Sequence, residues 1–536
     1  MKRIAIIAVP LIILMNFSNS FADDSQNIFF LRPLKCQKLS FDYKIDTSSL
    51  ASYNKEKRQT YSGQPTGDVI FTSISSPHMI SISMIPSNFE VKDSRARFSE
   101  ELRNPYSFSL RKMPSDTNPL SKNKKYYFKT ATEITVINAT VWAVSKYFIK
   151  KSWANISFDS MLWNLKHGFD WDIDTYFTNQ FLHPYHGALH YSIAKANGFN
   201  YFESVAWAFL GAATAELFFE ARGEYNNTPS TNDLIINTLG AMTLGEVLFR
   251  TADLVLDESS RGFERFLREF LAFAINPAFG FRIFSRKASK IGYPPEKHYY
   301  NLDLPFGFYS SSTHKTCFIV AAHLEYKDFL REDLFKINLY DWFTLDCRLG
   351  NGTRNIEFLT TGVLTGKKIK NGLTGLFGVF DYIETQAIER ISAVGVGPGL
   401  VTTFNSDSDF FFNGSGVLSF IFGGSSPSFD LKNYHFGKKI NDPYYLGPGM
   451  MGRMKLELGK KGLGSIDTGF SHYWVHSIFT HADEFLGILS LNLKGDLSDK
   501  SQLSIGYDYY FRYASFQEER SSRSKNAARV LYILKF

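Results

Sequence analysis

The sequence predicts an α+β protein: a C-terminal antiparallel transmembrane β-barrel of about 12 strands, preceded by a bundle of short apolar helices. Three observations carry this prediction. The N-terminus has the pattern of a secretory signal, a middle segment has apolar residues at helical spacing, and the C-terminal segment alternates apolar and polar residues. The predicted parts are a signal peptide at 1–22, a partly ordered periplasmic extension at 23–130, a helical domain at 131–285 and an outer-membrane barrel at 305–536.

The N-terminal segment predicts export. Lys2 and Arg3 precede an apolar run over 4–15, and Ser20-Phe21-Ala22 gives a cleavage site after Ala22. The run is shorter than the roughly 20 residues that a membrane-spanning helix needs. Since no later stretch of 18 or more residues is both uncharged and apolar throughout, we expect an exported protein and not a helical inner-membrane protein.

The composition favours a lipid-facing surface. Aromatic residues make up 16% of the chain, with 51 Phe and 28 Tyr, which suits a barrel with aromatic girdles. The formal net charge of +7 is spread along the chain. It predicts a mild preference for anionic lipid or lipopolysaccharide headgroups, with an ordinary solvated surface as the alternative. No basic stripe predicts a nucleic-acid partner.

Alternation with a period of two predicts the barrel strands. The clearest case places one apolar face on Leu503, Ile505, Tyr507, Tyr509, Phe511 and Tyr513. About eleven such segments follow residue 316, and because bacterial barrels prefer even numbers we expect a twelfth, near 433–439 or upstream of the helices. The last segment ends on Phe536, which resembles the terminal signal read by the barrel assembly machinery. The alternative is a soluble β-sandwich with ordinary alternation.

Polar pairs one turn apart interrupt three of the predicted apolar helices. They are His186 and His190, Glu216 and Glu220, and Asp233 and Asn237. Residues at i and i+4 share a helix face, and a buried carboxylate needs a partner, a metal or a cavity. We therefore expect these groups to meet, with His183 joining them from the start of its helix.

Two chemistries fit this set. Two histidines and two carboxylates are suitable ligands for zinc or another divalent metal, with the ligands His186, His190, Glu216 and Glu220. General acid/base chemistry would use His183, His186, Glu216, Glu220 and Asp233. The alternative is a structural hydrogen-bond network, in which Ser230 simply caps the helix that carries Asp233. Gly187, Gly240 and Gly245 fit close helix packing in either case.

The same block resembles a known bacterial family. The matching segments are Asn179-Gln180-Phe181-Leu182-His183-Pro184-Tyr185-His186-Gly187-Ala188, Ala194-Lys195-Ala196-Asn197-Gly198 and Ser230-Thr231-Asn232-Asp233-Leu234-Ile235, with Glu216, Glu220, Gly240 and Gly245-Glu246. Over about 170–255 they resemble the bacterial domain of unknown function 3943. The resemblance implies a cell-surface location and no particular activity. A pattern-level similarity to VanZ-like membrane proteins suggests a membrane-adapted polar core.

Three functions follow from these observations. The first is an outer-membrane barrel whose helices form a plug or a membrane-apposed platform, with a structural or transport-related role. The second is an enzyme that modifies envelope lipid or lipopolysaccharide through the His/Glu/Asp cluster. The third is a passive channel or receptor, with the segment around 425–448 as a surface loop.

Overall fold

The computed structural model describes residues 125–170, 174–221, 229–256, 260–284, 300–311, 314–327, 337–351, 355–385, 390–405, 409–426, 445–477, 482–516 and 519–536. The predicted signal peptide and almost all of the predicted extension lie outside these residues. Residues 125–130 instead lead into the first helix.

The helical block contains eight described α-helices. They are α1 Tyr127–Ala143, α2 Phe158–His167, α3 His183–Ala196, α4 Tyr201–Phe218, α5 Thr231–Gly240, α6 Glu246–Val255, α7 Gly262–Ile275 and α8 Phe279–Phe284. Shorter turns complete the block: π-helical turns at Val144–Ile149, Thr178–Leu182 and Ala241–Gly245, and a 3₁₀ turn at Ser152–Ala154. Local signals set the helix starts. Asn200 and Glu203 form a capping box at α4, and Ser230 accepts the backbone N–H of Asp233 at α5.

Twelve antiparallel strands close into one barrel, which confirms the predicted fold class. They are β1 Tyr300–Ser311, β2 His314–Lys327, β3 Trp342–Gly350, β4 Asn355–Ile369, β5 Gly372–Thr385, β6 Arg390–Asn405, β7 Phe410–Ser426, β8 Tyr445–Lys460, β9 Gly464–His476, β10 Ala482–Ser498, β11 Ser501–Phe516 and β12 Glu519–Lys535.

The twelfth strand is β1, the first described element after the helices. The expectation that it comes from 433–439 or from upstream of the helices is therefore wrong; residues 433–439 lie outside the described part of the chain. β1 pairs with β12 and closes the barrel. Beyond β12, the backbone N–H of Phe536 donates to the Leu302 carbonyl at 2.9 Å. Its recognition by the assembly machinery stays a prediction.

The barrel interior is filled by side chains from facing strands. A buried apolar cluster includes Phe377, Val379, Ile421, Met451 and Tyr473. Contacts also cross the lumen from β8 and β9 to β4 and β5: the Arg453 guanidinium bonds Asp381 and donates to Thr361 at 3.0 Å, and Tyr473 donates to Asp381 at 2.8 Å. A cavity of about 240 Å³ remains in the lumen, with Arg348, Arg453 and Arg529 among its lining residues.

The outward faces of β7 to β12 carry exposed apolar side chains. Leu418, Phe420, Met450, Leu491 and Ile505 are each exposed. They alternate with inward residues such as Arg453 and Asp508. A closed barrel with an apolar outer belt satisfies its backbone without water, as lipid requires. The chain is thus an outer-membrane β-barrel protein.

The helices cover the outer wall of β2 to β6. On β5, Asp381 points into the lumen, so its neighbours Phe380 and Tyr382 point outward, and both are fully buried. They belong to one buried cluster with Tyr176, Phe181 and Leu244 of the helical block. Of the two predicted arrangements, a plug in the lumen or a platform beside the barrel, the described helices do not form the plug, because they pack against the outside of the barrel wall.

Tyr340, in the connection between β2 and β3, joins the wall to the helices. Its φ of 57° is in the left-handed region, which is unfavourable for a bulky residue. Three contacts hold it there. Its N–H donates to the Val363 carbonyl at 2.6 Å, its hydroxyl donates to the Met242 carbonyl at 3.0 Å, and its ring lies directly over Gly362.

Glycines allow the helices to pack closely, as the sequence predicts. A Cβ on Gly187 of α3 would overlap the Asn237 carbonyl of α5, and one on Gly240 would overlap Pro184 of α3. α3 and α5 are therefore in backbone contact at these positions. In the described part of the chain, no helix combines the length and apolar character needed to cross a membrane.

Replacing Gly187 by alanine should destabilise the helical block by about 1–3 kcal/mol, because the new methyl group forces α3 and α5 apart. The measurement is the urea midpoint of the helical circular-dichroism signal at 222 nm. Gly495→Ala is the matched control, since nothing lies within 4 Å of a Cβ at that position. Equal midpoints for both variants would show that α3 and α5 are not in close contact.

Candidate functional site

His183 lies at the centre of the site that the helices build. It is the first residue of α3, and its Nε2 is 3.2 Å from Asp233 Oδ2 and 3.5 Å from Asp174 Oδ2. Asp233 is the third residue of α5 and is buried, whereas the Asp174 side chain is 40% exposed. The site is therefore closed on the Asp233 side and open on the Asp174 side.

Asn237 determines which nitrogen of His183 carries the proton. Its Nδ2 donates to the Asp233 carbonyl at 2.8 Å and lies 3.3 Å from His183 Nδ1. An amide nitrogen only donates, so Nδ1 accepts and the proton of the neutral ring is on Nε2. Nε2–H then points at two carboxylates. A histidine held in one tautomer by a carboxylate is the arrangement that general acid/base chemistry uses.

The same three residues also satisfy the geometry of a metal site. One ligand atom each from Asp174, His183 and Asp233 lies within 4.8 Å of the others, the one such group in the described residues. A metal on Nε2 would require a proton on Nδ1 and an acceptor facing it. Asn237 presents a donor there instead. The hydrogen-bonded histidine therefore fits this geometry better than a metal does.

His186 and His190 form a second, more buried pair. Their ring centroids are 4.4 Å apart. His190 Nε2 donates to Asn138 Oδ1 at 2.7 Å, and the Asn138 amide donates to the Gly211 carbonyl at 3.0 Å. Burial lowers the pKa of His190 to about 3. Burial, and then the neighbouring His190 and His183, hold the pKa of His186 well below its usual value. Both rings are thus neutral, and His190 joins α3 to α1 and, through Asn138, to α4.

The two glutamates complete the end of α4. Glu216 is buried, and its Oε2 accepts the backbone N–H of Ser230 at 2.8 Å. Glu220 lies just beyond α4, and its carbonyl accepts from the Asn164 amide at 2.9 Å. The predicted metal set of His186, His190, Glu216 and Glu220 is not brought together among the described residues. Of the predicted acid/base residues, His183 and Asp233 are in contact.

Sequence reasoning missed Asp174 and Asn138. Asp174 precedes its helical turn and belongs to no periodic pattern, so its nine-residue distance from His183 carried no signal. Asn138 did have a sequence signal, because it is an amide in a largely apolar stretch of α1. In the structure it is fully buried. A buried amide needs partners, and those partners are His190 and the Gly211 backbone.

A buried ionic group links the site to the barrel wall. Glu246 bonds the Tyr191 hydroxyl, Lys195 at 3.1 Å and Arg250 at 2.8 Å. Burial favours the protonated form of Glu246, but Lys195 and Arg250 outweigh it and lower the pKa to about 2. Arg250 also donates to the Leu339 carbonyl at 2.8 Å, beside Tyr340. α3, α6 and the β2–β3 connection are thus held together by one carboxylate.

The His190 pKa predicts acid sensitivity. Its folded value of about 3 lies below the usual 6.5, so the unfolded state binds the proton more tightly and stability falls as pH drops from about 6.5 toward 3. Between pH 7 and pH 5 the free energy of unfolding of the helical block should fall by about 2 kcal/mol because of His190, at 1.36 kcal/mol per pKa unit.

His190→Gln should flatten that dependence, as measured by the 222 nm urea midpoint at both pH values. His167→Gln is the control, because His167 is exposed on α2. If the urea midpoint of His190→Gln fell between pH 7 and pH 5 as much as that of the unchanged protein, His190 would not be buried as a neutral ring.

Comparison with solved structures finds likenesses to outer-membrane barrels, each a likeness of fold alone. The NanC porin is 11% identical, with 44% of this chain and 100% of that chain covered and a TM-score of 0.26. The outer membrane channel COG4313 from Pseudomonas putida F1 is 9% identical, with 46% and 99% covered and a TM-score of 0.22. The translocator domain of autotransporter NalP from Neisseria meningitidis is 10% identical, with 48% and 97% covered and a TM-score of 0.22.

No curated protein matches the chain. A family model described as "Domain of unknown function (DUF3943)" matches residues 168–278, from the residues before Asp174 to the end of α7 and beyond. This match confirms the first resemblance and does not support the VanZ-like one. Residues 168–278, which include the residues of the His183 site and helices that pack on the barrel wall, thus match the DUF3943 family model.

Proposed function

We propose that this outer-membrane protein works at the outer wall of its barrel, with the barrel as membrane anchor and the helical domain as a membrane-apposed platform. The observation that carries the proposal is the burial of outward-facing wall residues such as Phe380 and Tyr382 beneath the helices. A wall that served only as a boundary to lipid would carry exposed side chains all round, as β7 to β12 do.

The filled lumen supports a passive channel less well than the buried wall residues support a platform. The bonds from Arg453 and Tyr473 to Asp381 cross it, and apolar residues fill the space beside them. Asp381 is fully buried. The long segment between β7 and β8, which a receptor role would use as a surface loop, lies at 427–444, outside the described residues.

The reactivity of the Cys347 thiol measures whether the helices are docked on the barrel wall. Cys347 points outward on β3, and it is buried in the same cluster as Phe181 and Leu248. In a chain with Cys36 and Cys317 replaced by serine, Cys347 should react with an apolar maleimide in detergent at least about tenfold more slowly than a cysteine on the bare wall. A tenfold difference corresponds to a free energy of about 1.4 kcal/mol for moving the helices away from Cys347.

The bare-wall control is Leu418→Cys in a chain otherwise free of cysteine, because Leu418 is exposed on β7. Gly362→Val should speed the reaction of Cys347, since the new side chain displaces the Tyr340 ring. If Cys347 reacted as fast as the thiol of the Leu418→Cys control, the docked platform would be rejected.

A second candidate is an envelope-lipid enzyme centred on His183. The observation that favours it is the fixed tautomer of His183 between a buried and a half-exposed carboxylate. A purely structural pair needs only Asp233, whereas Asp174 lies on the open side. A general acid or base at this position would act on an ester or phosphoryl group of a lipid.

His183→Gln and Asp174→Asn should both change the composition of envelope lipids or lipopolysaccharide if this candidate is right. Asp159→Asn, in the first turn of α2, is the control. All three variants should keep the 222 nm signal and heat-modifiable barrel mobility. An unchanged lipid profile in folded His183→Gln would reject the enzyme and leave His183 as a link between α3 and α5.

A further inference from the structure

We infer that α1 and α4 form a lipid-contacting layer, so that the helical domain is immersed in the hydrocarbon of the outer membrane beside the barrel, without crossing it. This inference rests on the proposed function and names its partner, the acyl chains of membrane lipid. Five observations support it.

Both helices contain a long uncharged run. No charged residue occurs over 134–145, in α1 and the π-helical turn after it, or over 204–215 in α4. Each run is 12 residues, about 18 Å of helix. Apart from Thr135 and Thr140, the exposed side chains along these runs are apolar: Val136 and Val141 on α1, Val144 in the turn after α1, and Phe209 and Leu210 on α4. A water-facing helix of a soluble domain normally carries charge on that face.

The two runs lie side by side. Lys125, just before α1, pairs with Glu203 in the first turn of α4 at 2.6 Å, and further along both helices Asn138 donates to the Gly211 carbonyl. α1 and α4 therefore run in the same direction, with residues 134–145 beside residues 204–215. Together they make one uncharged outer surface.

The exposed threonines on this surface do not need water. Thr135 donates to the Ala131 carbonyl at 2.8 Å, Thr140 to Val136 at 2.7 Å and Thr214 to Leu210 at 2.7 Å. Each hydroxyl is thus bonded to the carbonyl four residues earlier. This is the way in which threonine is accommodated in helices that lie in lipid.

Interfacial residues bound the surface at its C-terminal end. Lys146 lies over the rings of Trp142 at 5.1 Å and Tyr147 at 5.8 Å, and Phe148 is 82% exposed. Tryptophan, tyrosine and lysine are the residues enriched where hydrocarbon meets headgroups. The opposite end has the Lys125–Glu203 pair. Charges thus flank the uncharged run at both ends.

Strand pairing places the turn Ala241–Gly245 at the level of the lipid belt, and Tyr201 of α4 donates to the Met242 carbonyl of this turn at 2.6 Å. Thr243 of the helical block lies against Gly378 on β5. Gly378 pairs with Val396, Val396 with Phe420, and Phe420 with Met450. Phe420 and Met450 are exposed on the bare wall. For a tilt of about 40° each step along such a row shifts the height by only about 3 Å. The uncharged run of about 18 Å is shorter than the belt of about 25 Å, which agrees with helices that enter the layer without crossing it.

Spin labels test the immersion. In a cysteine-free chain, Val136→Cys and Leu210→Cys carry a nitroxide, and the protein is placed in nanodiscs of phosphatidylethanolamine and phosphatidylglycerol. Both labels should collide with oxygen and not with a water-soluble nickel chelate, as the label at Leu418→Cys on the bare wall does. Lys166→Cys on α2, which is exposed, is the aqueous control and should be at least about tenfold more accessible to nickel.

Nickel accessibility at positions 136 and 210 equal to that at 166 would overturn the inference. The positions are exposed, so the labels leave the core intact, and the 222 nm signal verifies the fold. The two proposals fail differently. A protected Cys347 with water-exposed labels would keep the docked platform and reject immersion, whereas a reactive Cys347 would reject the platform itself.

Discussion

The contact between the barrel wall and the helices is the constraint on which the rest of this structure depends. Phe380, Tyr382 and Val394 are outward-facing wall residues, yet they pack against Phe181 and Leu244 of the helical block. In water such a contact would be driven by apolar burial. Beside a membrane belt it replaces lipid with protein and gains little from that source. Close packing and polar bonds must then supply the specificity. The wall provides them at three positions: Ser392 donates to Gln180, Tyr340 to the Met242 carbonyl, and Arg250 to the Leu339 carbonyl.

The same reasoning explains the polar groups inside the helical domain. Where water is scarce, a buried polar atom needs a protein partner, and helices with small residues can approach closely enough to provide one. His190 is hydrogen-bonded to Asn138, and the Asn138 amide donates to the Gly211 carbonyl. Glu216 holds the backbone of Ser230, and Glu246 holds Lys195 and Arg250. His183 differs from these. One of its two carboxylate partners is partly exposed, which is why it is the candidate for chemistry, whereas the others are themselves buried.

The sequence predicted most of the barrel and most of the helices, because both patterns are local. Period two identifies a strand but does not say what covers its outer face. Phe380 and Phe420 have the same pattern, although one is buried by helices and the other is exposed. Only the apolar residues on both faces of β5 distinguish the covered wall. The sequence left both a plug and a platform open for that reason, because no local pattern separates a helix that fills a barrel from one that lies against it. Asp174 was missed because its contact with His183 depends on the tertiary arrangement.

The lengths of the helices explain how such a domain can reach the outer membrane at all. A run of about 20 apolar residues would be retained in the inner membrane, whereas the uncharged runs of α1 and α4 have 12 residues each. Alone, neither run can span a bilayer, and Asn138 and Glu216 would be costly in lipid without their partners. The barrel wall removes both obstacles, since it offers an apolar surface of matching height and fixes α3 and α5, which carry those partners. On the inferred placement, the helices therefore depend on their contact with the barrel wall for compatibility with lipid.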